Sequence, residues 1–145
     1  MSNCVICEKH VSNSSLLIFQ DNLVNVYHGP LDSGLLGYIH VEPRRHVENL
    51  YEFTEEETIH INKVIKHSTK LLNEYVDAVR VYVVTISEAV RHQHFHLIPR
   101  TADSDSKGLS LIEQATQQKA SESLQSIVVE DLIKRLKPEL MYLLS

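Results

Sequence analysis

The run Arg91-His92-Gln93-His94-Phe95-His96-Leu97-Ile98-Pro99 constrains this chain more than any other stretch. Its alternation predicts a strand, because successive side chains on a strand point to opposite faces. His92, His94 and His96 then share one face at steps of roughly 7 Å, and Gln93, Phe95 and Leu97 take the other. Phe95 and Leu97 suit a core, so the strand should have an apolar layer behind it and three imidazoles in front. Three imidazoles in a row are costly as structure alone. Imidazole titrates near neutrality. It can attack phosphorus as a neutral nucleophile and then leave easily, which splits one displacement into two. On spacing alone two other readings stay open: a solvated edge strand with incidental histidines, and a three-histidine catalytic metal site.

The rest of the chain supplies the sheet that such a strand needs. Residues 14–20 and 24–28 read as two short strands separated by the turn signal Asp21-Asn22. Residues 31–37, with Gly34 and Gly37, read as a loop, and Tyr38–Glu42 reads as a strand ending at Pro43. Thr54-Glu55-Glu56-Glu57 is a capping box with Thr54 as N-cap. Ile61, Val64, Ile65, Leu71, Leu72 and Tyr75 follow at helical spacing and predict a long amphipathic helix at about 55–75. Arg80–Ser87 is rich in β-branched residues and reads as a buried strand. Residues 101–109 read as a mobile polar loop, and 121–136 as a second helix that Pro138 ends. Strands joined by turns, a long helix and more strands imply an α+β fold with an antiparallel sheet. The apolar residues 140–144 must pack on the core or on a partner chain.

A chain of 145 residues points to one domain, 1–145, large enough to bury a core without staples. Its net charge of −5 argues against a nucleic-acid polymer as partner, since such binding neutralises many phosphates with Lys and Arg. No stretch approaches the ~20 apolar residues of a membrane span, and the polar N-terminus lacks a signal-peptide pattern. The expectation is a soluble, cytoplasmic protein without a membrane partner. The two cysteines form one C-x-x-C, Cys4 and Cys7. Taken alone, that pair is half a zinc site, a redox disulfide or chance. A zinc site needs two further N or S ligands, of which His10 is one nearby candidate.

The segment from His92 to Ile98 resembles the histidine triad motif, His-x-His-x-His followed by two apolar residues. Gly37-Tyr38-Ile39-His40-Val41-Glu42-Pro43-Arg44-Arg45-His46 resembles the family's strand ending in Pro-basic-x-His, and Thr54–Glu57 opens a helix where the family has one. The resemblance covers about residues 3–101 and leaves 102–145 as a C-terminal loop and helix. It implies a five-stranded antiparallel sheet with one long helix and a C-terminal helix. It also implies a catalytic set. His94 would be the nucleophile at a nucleotide α-phosphate and His96 would contact that phosphate. The His92 carbonyl would accept a hydrogen bond from the far nitrogen of His94 and orient its ring. His28 falls where many members place a side chain on the ribose hydroxyls.

Glu88-Ala89 stand where many nucleotide-hydrolysing members carry Gln-Ser, so a carboxylate and a methyl group would face the phosphate and leaving group. A carboxylate near phosphate repels it unless protonated or paired. Gln93 replaces a usual apolar residue on the face away from substrate and reads as a packing change. Zinc-bearing members, and the related galactose-1-phosphate uridylyltransferases, imply a ligand set of Cys4, Cys7, His46 and His92. That Cys2His2 set has no open position and would be structural. Arg44 and Arg45 read as solvated. The function implied is a hydrolase or transferase of small nucleotide conjugates, dinucleoside polyphosphates or nucleoside phosphoramidates, dimeric by family habit. A nucleotide-binding regulatory protein with little turnover is the alternative, and a metal-dependent hydrolase the third reading.

Overall fold

The computed structural model describes residues 3–145. A short helix, α1 (Val5–His10), leads into strands β1 (Leu17–Gln20), β2 (Val24–His28) and β3 (Ile39–Pro43). The long helix α2 (Glu55–Val76) follows, then β4 (Ala78–Val84), β5 (Phe95–Thr101), α3 (Leu109–Gln117) and α4 (Ser126–Leu143). The strands form one antiparallel sheet in the order β1-β2-β3-β5-β4. Asp21 turns the first hairpin: its carboxylate accepts from the N–H groups of Leu23 and Val24, both at 2.9 Å. Among the described residues no helix is long and apolar enough to cross a membrane.

The capping box opens α2 as its sequence predicts. Thr54 Oγ1 accepts from the Glu57 N–H at 3.0 Å, and Glu57 accepts from the Thr54 N–H at 2.9 Å. The expected stripe then packs inward. Ile61, Val64, Leu71 and Leu72 join Val26, Ile39, Val41, Phe95 and Leu97 in one core, closed from beyond by Val129, Leu132, Leu136 and Leu140 of α4. The opposite face of the sheet is covered only in part. There α3 places Leu111 and Ala115 against Tyr38 and Ile98, and the remainder of that face carries the histidines.

Four expectations need correction. β4 is not buried: it is the sheet's edge, paired with β5 alone, and Val79 and Val83 are about half exposed. β-branched residues suit a pleated surface whether or not it is covered, so the run could not separate edge from centre. β5 begins at Phe95, so His96 alone of the three histidines lies within it. The segment 101–109 ends in α3, which the sequence did not announce: Gly108 is its N-cap and supplies no side-chain cap. Finally, α4 starts at Ser126 and runs through Pro138. Leu136 and Leu140 on either side of that proline are both fully buried, and this burial outweighs the roughly 3 kcal/mol cost of an interior proline.

Candidate active site and metal centre

His94 and His96 lie side by side in front of the sheet, their ring centroids 5.0 Å apart and their planes at 68°. His94 Nδ1 is 2.7 Å from the carbonyl oxygen of His92. A carbonyl can only accept, so the neutral form of His94 carries its proton on Nδ1 and keeps a lone pair on Nε2. His96 is nearly buried, and its Nδ1 lies 2.6 Å from Tyr38 Oη. Burial, then the neighbouring His94, pushes His96 down to about 4, so the ring is neutral near pH 7. Thr85 braces this segment, with Oγ1 2.8 Å from the His94 carbonyl oxygen and 2.9 Å from Gln93 Oε1. Gln93 is therefore a hydrogen-bonding strut and not an apolar filler, for its Nε2 also donates to the Glu48 carbonyl at 3.1 Å.

His92 turns away from this pair. Its Nδ1 lies 3.4 Å from Cys4 Sγ and 3.5 Å from Cys7 Sγ, while His46 Nδ1 lies 3.6 Å from Cys7 Sγ. The four donor atoms fall within 4.8 Å of one another. A tetrahedral centre with metal–sulfur bonds of about 2.3 Å and metal–nitrogen bonds of about 2.0 Å has S···N edges of about 3.5 Å, so these residues fit a metal ion. The outer contacts fit as well. His92 Nε2 donates to the Pro43 carbonyl at 2.7 Å, which leaves the Nδ1 lone pair free, and His46 Nε2 sits 3.5 Å from a Glu48 carboxylate oxygen. Cys4 is the N-cap of α1 and accepts from the Cys7 N–H, which folds the C-x-x-C into one turn. Both thiols are free. His10 is not part of this set; its Nε2 bonds Glu42 Oε1 at 3.0 Å.

The sheet face beyond His96 holds residues that motif reasoning passed over. Tyr38, just ahead of β3, and His40 and Glu42 within it alternate in sequence, and His40 pairs in register with His96. Glu42 is buried, yet the hydrogen bonds from His10 and Lys9 overcome that burial and hold its carboxyl below the usual range. Burial, then His96, pushes His40 down to about 3. The signal was present in the sequence as Tyr-x-His-x-Glu, polar residues at every second position of one strand.

Other expected site residues lie elsewhere. His28 is fully buried, its Nε2 accepting from the Gly37 N–H at 2.9 Å and its Nδ1 donating to the Gly29 carbonyl at 2.8 Å. Both nitrogens are spent on backbone, so His28 has none for a ribose; it ties the loop 29–37 to β2. Glu88 and Ala89 are exposed, and no hydrogen bond among the described residues joins either to His94 or His96. The nearby hydroxyl is that of Ser87, 3.5 Å from His94 Nδ1 on a residue with φ of 54°. Arg45 is not simply solvated: it grips Glu57 at 2.8 and 3.0 Å, joining the strand end to the α2 cap.

Comparison with known proteins gives the family and the fold. The sequence profile of the HIT domain matches residues 10–103. Among curated proteins none matches the sequence significantly. Solved structures share the fold at low identity. A hypothetical histidine triad nucleotide-binding protein from Sulfolobus tokodaii superimposes with a TM-score of 0.70 at 20% identity, covering 97% of this chain and 93% of that one. A zinc-bound histidine triad family protein from Mycobacterium smegmatis gives 0.69 at 18%, covering 97% and 94%. A Hit-like protein involved in cell-cycle regulation from Bartonella henselae gives 0.67 at 18%, covering 95% and 97%. With the HIT profile spanning most of its length, the chain belongs to the histidine triad family.

Proposed function

We propose that the chain transfers or hydrolyses small nucleotide conjugates at the α-phosphate, with His94 as nucleophile. The observation that carries this reading is the 2.7 Å contact from His94 Nδ1 to the His92 carbonyl, which leaves the Nε2 lone pair for phosphorus. On attack the Nε2–P bond forms and the bond from phosphorus to the leaving group breaks, its electron pair departing with that group. The His92 carbonyl accepts the Nδ1–H and stabilises the positive charge that develops on the ring. Water then displaces the imidazole, releases the nucleoside monophosphate and restores His94. His96 serves the phosphoryl oxygens. Dinucleoside polyphosphates and nucleoside phosphoramidates both offer this chemistry.

Zinc is the ion that a Cys2His2 set of these dimensions suits, with Cys4, Cys7, His46 and His92 as ligands. Its place would be structural, with no open position, and it would hold His92 and hence the carbonyl behind His94. Thiolate ligands need reducing surroundings, which favours the cytoplasm. The second reading, a nucleotide-binding protein with little turnover, is favoured by the exposed Glu88 and by Ala89, which has no hydroxyl to offer.

Mass spectrometry of acid-quenched protein mixed with an adenosine phosphoramidate tests the proposal. A nucleotidyl adduct on His94 is expected in the wild type, and its loss with turnover in His94→Ala, at unchanged nucleotide affinity. His96→Ala should slow the chemistry but keep the nucleophile. An adduct elsewhere, or full activity in His94→Ala, would refute the assignment. Nucleotide binding without adduct or turnover would favour the second reading.

A further inference from the structure

Tyr38 is almost wholly buried, and the hydrogen-bond partner of its hydroxyl is His96 Nδ1 at 2.6 Å. The two rings lie nearly parallel, 19° apart, with centroids 5.9 Å from each other. The tyrosine cannot drift. Gly29 presses on it so closely that a Cβ there would come within 2.4 Å of the ring, and the Gly29 N–H donates to the Tyr38 carbonyl at 2.7 Å. His40 stands edge-on to both rings, at 4.7 Å from Tyr38 and 5.1 Å from His96.

This geometry fixes where a proton resides. A buried hydroxyl left without an acceptor costs about 1–3 kcal/mol. If His96 donated from Nδ1, the phenolic hydrogen would have no acceptor among the described residues. The phenol must therefore donate and Nδ1 accept, which puts the His96 hydrogen on Nε2. Burial raises Tyr38 above its ordinary value, so the hydroxyl keeps its hydrogen to donate. On His94 the carbonyl of His92 enforces the opposite tautomer. The two adjacent imidazoles thus offer unlike Nε2 atoms, a lone pair on His94 and an N–H on His96. That is the pair a phosphoryl transfer uses, one to attack phosphorus and one to bond a non-bridging oxygen.

We propose that Tyr38 is a positioning residue, whose buried hydroxyl holds the His96 proton on Nε2 to meet the phosphoryl group that His94 attacks. The catalytic half of this statement rests on the proposed role of His94; the tautomer half does not. With the hydroxyl removed, the Nδ1–H form of His96 becomes accessible. In that form His96 turns a lone pair towards an anionic oxygen, and the donor to the transition state is lost.

Long-range proton–nitrogen correlation spectra of the full, histidine-labelled chain at pH 7 test the tautomer directly, with His96 assigned by signals missing from His96→Gln. The wild type should show His96 protonated on Nε2. Tyr38→Phe keeps the ring and loses only the hydroxyl, and its His96 should shift towards the Nδ1–H form. With an adenosine phosphoramidate, kcat should fall at least tenfold in Tyr38→Phe while KM changes less than threefold, since removing one transition-state donor costs about 10²–10³ elsewhere. A wild-type His96 protonated on Nδ1, or a Tyr38→Phe spectrum unchanged at His96, would overturn the proposal. The wild-type spectrum decides the tautomer even where the variant is unstable. A His96 proton on Nε2 in a wild type without turnover would support the tautomer assignment and overturn the His94 reading instead.

Discussion

Burial pushes His40 down to about 3 and His96 to about 4, so both imidazoles are neutral in the folded chain at pH 7. In the unfolded chain both titrate near 6.5. As pH falls below that value the unfolded state takes up protons that the folded state refuses. The stability is therefore whole above about pH 6.5 and is lost as pH falls towards 4 and 3. Between pH 6.5 and 5 each ring should contribute a loss on the order of 2 kcal/mol. Denaturant unfolding at pH 7 and pH 5 checks this, with His40→Asn as the comparison. That variant should lose less on acidification by roughly the share of one ring, and an acid loss as steep as the wild type's would contradict the argument. Residue scale also separates what sequence reveals from what it withholds. His92, His94 and His96 stand out because the chemistry is concentrated in five consecutive positions. Tyr38 and His40 do not, because their meaning depends on β3 pairing with β5, a contact across nearly sixty positions.

The elements divide along the same line. α2 was legible from end to end, since its cap is written in four adjacent residues and its stripe repeats through 22. β4 misled because an edge and a centre use the same residue types. α4 misled because a local rule, proline as a stop, met a tertiary counterweight in Leu136 and Leu140. The proline still carries its local cost, a missing N–H and a ring against the preceding turn. Pro138→Ala should restore that turn and stabilise the chain by about 1–2 kcal/mol, the helix gain less the freedom returned to the unfolded state. Thermal unfolding measures it, and a lowered midpoint would contradict this expectation.

At the scale of the whole molecule, two surfaces remain open. β4 offers an unpaired edge with Val79 and Val83 half exposed, and α4 carries Met141 and Tyr142 outward while Leu140 is sealed in the core. An exposed strand edge is a template for pairing with another chain. Light scattering at micromolar concentration should return twice the 16.6 kDa chain mass, and a monomer would contradict the dimer. Elemental analysis of protein prepared without chelators should find about one zinc per chain. Cys4→Ala should lose that zinc and unfold at a lower temperature, because metal binding at such a site is coupled to folding. A metal-free wild type with a Cys4–Cys7 disulfide would refute it. The proposed metal centre would also impose an order in time. Its donors are 88 positions apart between Cys4 and His92, and 39 apart between Cys7 and His46. Closing so long a loop costs entropy that grows slowly with length, about 0.6 kcal/mol for each doubling, and a bound ion would act as a clasp across that span. During synthesis such a clasp could not shut until His92 had left the ribosome. Until then Cys4 and Cys7 lack their distant partners, and the turn that carries them would be secured only after the triad segment is made.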